Sequence, residues 1–289
     1  MTTPAPAAPD PAAPDPAVPD PAVPDPAVPV LAVERLTVTH RHRDGHTTAV
    51  DQVCFALPPG DALVLLGASG SGKTTVARAV LGLPARNAET TGRIELRGTD
   101  LRALDERALS RVRGRRIGYV PQDPTGSLDP LRRVGAQLAE VLRRHQRATG
   151  RRAARAAVPD LLESVGIDDP RRVADSFPHQ LSGGQRQRAA IALAVCCEPE
   201  LLIADEPTTA LDALVRAQVL DLFARLRAER GIALLLVTHD LAVARRTGGQ
   251  VAVMRAGRIV ESGPAARVLT HPAHRFTAEL VGAHPGADQ

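Results

Sequence analysis

Residues 67–74 read Gly67-Ala68-Ser69-Gly70-Ser71-Gly72-Lys73-Thr74 and fit the spacing G-x-x-x-x-G-K-[ST]. The chemistry of such a stretch is phosphate binding. Glycines let the backbone curl until successive N–H groups face inward on phosphate oxygens. A helix starting where the loop ends turns its positive end on the same oxygens. Lys73 supplies a point charge to the outer phosphates and Thr74 a hydroxyl for Mg²⁺, with Thr75 completing the run. Lys73 is also the chain's only lysine; every other cation among its 36 Lys and Arg residues is arginine. An arginine bias with one accidental exception would place that lysine anywhere. It stands where a compact ammonium fits a ring of backbone donors and the wider guanidinium fork does not fit equivalently.

A second group follows an apolar run. Leu201-Leu202-Ile203-Ala204 ends in Asp205-Glu206 and then Pro207. Alternation along a strand points the two carboxylates in different directions. Asp205 suits Mg²⁺, directly or through water. Glu206 then lies beside the terminal phosphate and can polarise an attacking water. Alone, two acidic residues before a proline are as readily a turn as a site. Downstream of a phosphate loop in the same chain, they gain a purpose.

These groups need a scaffold, and the periodicity supplies one. Ala62–Leu66, Ile117–Val120, Leu201–Ala204 and Ile232–Val237 are short continuous apolar runs, the pattern of strands buried on both faces. A helical stretch follows the phosphate loop to Leu83. Helices are also expected over Gln185–Cys197 and Leu214–Glu229, with another starting at Leu241–Arg246. Strands alternating with helices predict an α/β fold around a mainly parallel sheet. Leu31–Thr39 and Ala49–Leu57 read as strands separated by a polar loop, Arg41–Thr48, and Arg93–Arg97 as another short strand. Val251–Arg255 and Arg258–Ser262 read as a hairpin across Ala256-Gly257. Between Asp123 and Leu181 the pattern turns helical and Arg-rich, with Val134–His145 and Arg151–Val165 as helices. That segment reads as an insertion.

Composition excludes several alternatives. Aromatics make up 2% of the 289 residues, too few for a base-stacking single-strand platform. The net charge is +4, and the four Asp of residues 1–30 have no Lys or Arg beside them, so the remainder is more basic than the whole. That fits an anionic ligand or membrane face, and equally a solvated Arg-rich surface. Cys54, Cys196 and Cys197 form no CxxC pair and no His/Cys ligand set; the adjacent two read as buried thiols. No run approaches about 18 consecutive apolar residues, so no membrane-spanning helix is expected. The N-terminus lacks the basic and apolar regions of a secretory signal. Residues 4–29 hold eleven prolines in a five-residue repeat, which blocks helix and sheet interior and predicts a disordered or polyproline-II arm over residues 1–30.

Leu181-Ser182-Gly183-Gly184-Gln185-Arg186-Gln187-Arg188, just upstream of the acidic strand, resembles the signature of ABC transporter ATP-binding subunits. Other motifs of that family stand in order. Gln122 occupies the Q-loop position after Tyr119-Val120-Pro121, Ala210-Leu211-Asp212 resembles the D-loop, and His239 the switch histidine. The resemblance covers residues 31–283. Gln122-Asp123-Pro124, Ser127-Leu128-Asp129-Pro130 and the end His271-Pro272-Ala273-His274-Arg275-Phe276-Thr277 are similar to the oligopeptide, dipeptide and nickel importer ATPases. Many such relatives continue into a Cys-containing extension. This sequence stops at Gln289 without it, and no iron–sulfur site is expected.

The resemblance implies an α/β fold with a P-loop NTPase (RecA-like) core, an N-terminal antiparallel β subdomain and an inserted helical subdomain at about 124–181. The ATPase domain would span 31–264, with a tail over 265–289. It implies ATP as substrate and Mg²⁺ as cofactor, the ion held by Thr74, Gln122 and Asp205. A second cassette, identical or homologous, would face the first head to tail. Ser182, Gly183, Gly184 and Gln185 would grip the partner's ATP, with Asp212 near by. Ser182 equally reads as the cap of a helix. Glu206 would be the general base, His239 would contact the γ-phosphate, and Gln122 would sense Mg²⁺ and water. Two transmembrane permease subunits, and through them an extracytoplasmic solute-binding protein, would be the partners at the cytoplasmic membrane face, with no nucleic acid. The competing class is a soluble ABC-type ATPase acting on DNA or ribosomes; its usual coiled-coil, tandem or zinc modules are missing. One departure stands out. The family's adenine-stacking aromatic falls near residue 40, where this chain reads His40-Arg41-His42-Arg43. His40 or His42 would stack instead, or Arg by a cation–π contact. Three loop histidines without a carboxylate make a poor metal site.

Overall fold

The computed structural model describes residues 28–43, 45–123, 126–145, 147–209 and 211–282. Most of the proline-rich arm, Pro124 of the Q-loop run, Ala210 of the D-loop and the last residues of the tail lie outside them. In chain order the elements begin with β1 (Leu31–His42), β2 (Gly45–Leu57), β3 (Ala62–Leu66) and α1 (Lys73–Val80). Next come β4 (Ala88–Leu96), β5 (Thr99–Asp100), α2 (Glu106–Val112) and β6 (Ile117–Val120). Four short helices follow: α3 (Val134–Arg144), α4 (Arg151–Ala156), α5 (Val158–Ser164) and α6 (Pro170–Asp175). Then come α7 (Gly183–Val195), β7 (Leu201–Asp205), α8 (Ala213–Arg230), β8 (Ala233–Thr238) and α9 (Leu241–Thr247). The described chain closes with β9 (Gln250–Arg255), β10 (Arg258–Pro264), α10 (Ala265–Thr270) and α11 (Arg275–Gly282).

Two sheets organise these elements. One is six-stranded, in the order β10-β9-β3-β8-β7-β6. Its strands β9, β3, β8, β7 and β6 are parallel, and β10 returns antiparallel beside β9. The other is a four-stranded antiparallel sheet, β2-β1-β4-β5. Alternation splits the buried strands between two cores. Val64, Leu66, Leu202, Ala204, Leu234 and Leu236 face the core built with α7, α8 and the inserted helices. Leu63, Leu65, Leu201, Ile203, Leu235 and Val237 face the core shared with α1 and the antiparallel sheet. Strands covered on both faces must be apolar throughout, and the continuous runs in the sequence have this cause.

The register fixes where chemistry can occur. Leu66 pairs with Thr238, Asp205 with Val237, and Val120 with Ala204. The carboxyl ends of β3, β6, β7 and β8 therefore open on one edge, the edge where open α/β sheets bind ligands.

Some sequence expectations need correction. The polar stretch Arg41–Thr48 is mostly strand: β1 runs to His42 and pairs with β2 down to His42–Gly45. Its side chains are largely exposed on both faces, so no hydrophobic alternation marks it, and the backbone ladder alone extends the strands. The strand at Arg93–Arg97 starts earlier, at Ala88, because it pairs along β1. The helix expected over Arg151–Val165 breaks between Ala156 and Val158. Pro159 sits in the first turn of α5 and lacks the N–H that would continue α4. Helices α2, α6, α10 and α11 carried too few periodic positions to read from sequence.

Gly118 in β6 shows how closely the layers meet. A Cβ there would stand 2.2 Å from the Ala194 carbonyl oxygen of α7. We expect Gly118→Ala to push α7 off the sheet and cost about 1–3 kcal/mol. A chemical-denaturation midpoint unchanged from the parent chain would refute this packing.

Candidate active site

The loop after β3 is shaped by close backbone contacts. A Cβ on Gly67 would lie 2.3 Å from the Met254 carbonyl oxygen, and one on Gly72 would lie 2.4 Å from that of Ala49. Gly72 also caps α1 with φ +103°, a conformation side chains resist. The Gly257 N–H donates to the Ser71 carbonyl at 3.0 Å. The β9–β10 hairpin and the edge of β2 thus form the floor of the loop. Periodicity gave no signal for Ala49, Met254 or Gly257 in this role, because their backbones and not their side chains perform it.

Lys73 is buried, 5% exposed. Its Nζ donates to the Gly67 and Ala68 carbonyl oxygens at 2.8 Å each and approaches Ser71 Oγ at 3.3 Å. Burial draws its pKa below the usual lysine value, against the opposing pull of Glu206 and Asp205. The ammonium lies folded into the loop, where phosphate oxygens would replace the carbonyls as its partners.

Asp205 ends β7, 3% exposed. Thr74 Oγ1 donates to its Oδ1 at 3.1 Å, and the Tyr119 hydroxyl stands 3.5 Å from its Oδ2. Tyr119 is the chain's single tyrosine, and nothing in the sequence marks it beyond its place in the strand before Gln122. Burial first, then the neighbouring Asp205 charge, pushes its phenol up to about 12, so it stays a donor. Burial raises the Asp205 carboxyl above the ordinary carboxylate range, and the Thr74 hydrogen bond works against it.

The neighbouring carboxylate collects donors from several loops. Glu206 Oε2 accepts from Gln122 Nε2 at 3.2 Å and from Thr209 Oγ1 at 3.0 Å. Glu206 Oε1 lies 3.0 Å from His239 Nδ1. Strand alternation is not what parts the two carboxylates. β7 ends at Asp205, and Glu206 follows in the left-handed region at φ +46°. Its N–H still bonds the Val237 carbonyl at 2.9 Å. Such a backbone costs about 1–3 kcal/mol and persists where the surroundings over-determine it.

The donor set fits a hard divalent ion. Thr74 and Asp205 present oxygens to each other, and no group of three or more His, Cys, Asp or Glu among the described residues could cage a metal. Mg²⁺ favours such a site, with few protein oxygens and the rest supplied by phosphate and water. Gln122 turns its amide nitrogen, not its oxygen, on Glu206.

The remaining predicted residues stand apart from this cluster. Ser182 caps α7: its Oγ accepts from Gln185 N at 3.2 Å, and Gln185 Oε1 accepts from Ser182 N at 3.3 Å. Asp212 caps α8, accepting from Val215 N at 2.9 Å. Among the described residues no hydrogen bond joins Ser182, Gly183 or Gly184 to Lys73, Asp205 or Glu206. His40 and His42 share the face of β1 that carries buried Val38, with ring centroids 6.5 Å apart. Cys196 and Cys197 are buried thiols, and Cys54 is exposed.

A raised Asp205 pKa has a sign that can be tested. The folded chain holds this proton at pH values just above 3.8, where the unfolded chain has lost it. Stability therefore falls as pH rises through that window, and the loss persists at neutral pH. Asp205→Asn should raise the melting temperature of the free chain at pH 7, by a margin that shrinks as pH falls toward 3.8. A destabilised variant at pH 7 would contradict the assignment.

Known proteins resemble this chain in sequence and in fold. Residues 50–209 match the family model described as ABC transporter. A putative peptide import ATP-binding protein of Brucella ovis is 47% identical over 257 residues, covering 86% of this chain and 76% of that one. The oligopeptide transport ATP-binding protein OppD of Mycobacterium tuberculosis is 43% identical, covering 88% of this chain and 41% of its own. Among solved structures, a dimeric post-hydrolysis ATP-binding cassette bound to ADP and Pi matches with a TM-score of 0.72 at 28% identity, covering 81% of this chain and 98% of that one. CbiO1 of Clostridium perfringens, part of an ABC transporter complex, gives the same TM-score of 0.72 at 27% identity, over 84% of this chain and 92% of that one. A family model matched over more than half of the chain, and relatives 47% and 43% identical along most of it, place this chain in the ABC transporter family.

Proposed function

We propose that this chain is the ATP-hydrolysing subunit of a membrane importer whose cargo is a peptide or a related small solute, nickel included. The observation that carries the chemistry is the convergence on Glu206 of Gln122, Thr209 and His239, next to a buried lysine in a phosphate loop. The cargo class rests on the peptide-import and oligopeptide-transport relatives.

The loop amides and Lys73 hold the β- and γ-phosphates of ATP. Thr74 and Asp205 would hold Mg²⁺, which when bound neutralises phosphate charge. Glu206 orients a water and accepts its proton as the water oxygen bonds the γ-phosphorus. The bond from that phosphorus to the bridging oxygen breaks, leaving ADP and phosphate. His239 keeps the Glu206 carboxylate aimed and meets the γ-phosphate from the β8 side. Gln122 reports on the occupied site to the rest of the chain.

Ser182, Gly183, Gly184 and Gln185, which among the described residues make no hydrogen bond to Lys73, Asp205 or Glu206, serve the ATP of a second cassette. Ser182 can cap its helix and still present the helix start to that phosphate. Nucleotide then favours the closed pair because it binds that state better. The helices within 124–181 would receive two permease subunits at the cytoplasmic membrane face, with a solute-binding protein acting through them. No described helix is long and apolar enough to cross a membrane. On β1, His40 is half-buried and lies across from Thr47 and Ala88, whereas His42 is exposed at the hairpin end. His40 is therefore the better seat for adenine.

Glu206→Gln should bind ATP as the parent does, lose turnover by about 10²–10⁴-fold and accumulate an ATP-stabilised dimer. Steady-state hydrolysis equal to the parent's would sink the role given to Glu206. Affinity purification of the tagged chain should retain permease subunits; nucleic acid in their place would overturn the importer reading. His40→Phe should tighten ATP binding by about 1 kcal/mol, because a larger π face stacks on the base. Equal affinities by calorimetry would remove His40 from the adenine site.

A further inference from the structure

The first turn of α8 touches three parts of the machinery. Asp212 caps it. Val215 lies against the signature, and a Cβ on Gly184 would stand 3.1 Å from Val215 Cγ1. Arg216, the next residue, reaches across to α9. Its Nη1 donates to Asp240 Oδ2 at 2.8 Å, and its Nη2 stands 3.4 Å from the Leu211 carbonyl oxygen. The other oxygen of Asp240 caps α9, accepting from Ala242 N at 2.7 Å and Val243 N at 3.3 Å. The residue before Asp240 is His239, 3.0 Å from Glu206. Arg246 and Asp221 also link α8 to α9, but their side chains are more exposed, 49% and 61% against 37% and 30% for Arg216 and Asp240. Arg216 Nε is buried without a partner. A buried donor left unsatisfied carries a desolvation penalty, so this guanidinium is held in place by what its other nitrogens bind.

We propose that Arg216 is a positioning residue for hydrolysis. It sets Asp240, and with it His239, against the same helical turn that packs on the signature. Engagement of the signature by a partner's nucleotide and placement of His239 on Glu206 then become one mechanical adjustment. Among the described residues Arg216 bonds Asp240 and the Leu211 carbonyl, not Glu206 or Lys73, so it acts through Asp240. The proposal rests on the reading of this chain as an ATPase.

The test uses full-length chains carrying Arg216→Gln, Arg216→Lys, Asp240→Asn and the Gln/Asn double substitution. Asparagine at 240 keeps an oxygen for the helix cap and removes the charge. The readouts are kcat and KM for ATP hydrolysis, and the equilibrium affinity for a non-hydrolysable ATP analogue. Arg216→Gln should lower kcat by about five- to tenfold with analogue affinity within about twofold of the parent. Asp240→Asn should do the same, the double variant should be no slower than either single one, and Arg216→Lys should recover most of the rate. Unchanged kcat in Arg216→Gln, additive losses in the double variant, or a matching loss of analogue affinity would each overturn the proposal. If Arg216→Gln fails to fold, Asp240→Asn carries the same kcat and affinity criteria. A parent chain that binds the analogue and hydrolyses no ATP would instead overturn the functional reading beneath it.

Discussion

The hydrogen bonds to the Glu206 carboxylate are the interaction on which the site depends. Gln122 follows β6, Glu206 follows β7 and His239 follows β8. They meet only because the parallel register brings those strand ends level. The left-handed backbone at Glu206 turns its carboxylate away from Asp205 and toward those loops. A continued strand would not bring the donors of two loops and of Thr209 onto one side chain. The local strain is offset by the partners it gathers.

The phosphate loop shows the converse constraint. It must keep its polar backbone open to a ligand, so it is held from beneath by carbonyl oxygens of β2 and β9 that leave no room for a side chain. Lys73 and Asp205 are both buried there, and burial pushes each toward its neutral form. The free chain therefore carries charges that a polyanionic ligand and its cation would satisfy better than the protein does. Sites built for charged ligands are commonly less stable than their neutralised variants for this reason.

The proposed split of roles between two cassettes has a geometric root as well. Helix α7 begins with a cap of its own, Ser182 Oγ accepting from Gln185 N and Gln185 Oε1 accepting from Ser182 N. Its first residues meet α8 rather than α1. In the proposed pairing the signature grips a nucleotide carried by another chain, and α8 is the element through which that grip would be felt at His239.

Much of this was legible in the residues. The phosphate loop, the acidic strand end, the lone lysine and the buried strands are local patterns, because loop curvature and two-faced burial depend on residue type and spacing within a few positions. The signature and the switch histidine were legible through resemblance. The sequence could not show that Arg41–Thr48 continues a strand, because an exposed ladder has no hydrophobic period. Nor could it show that Tyr119 meets Asp205, that Met254 and Ala49 floor the loop, or that Arg216 joins α8 to Asp240. Each of these contacts joins residues far apart in the chain, and only the sheet register and the packing of helices on it decide which side chains meet.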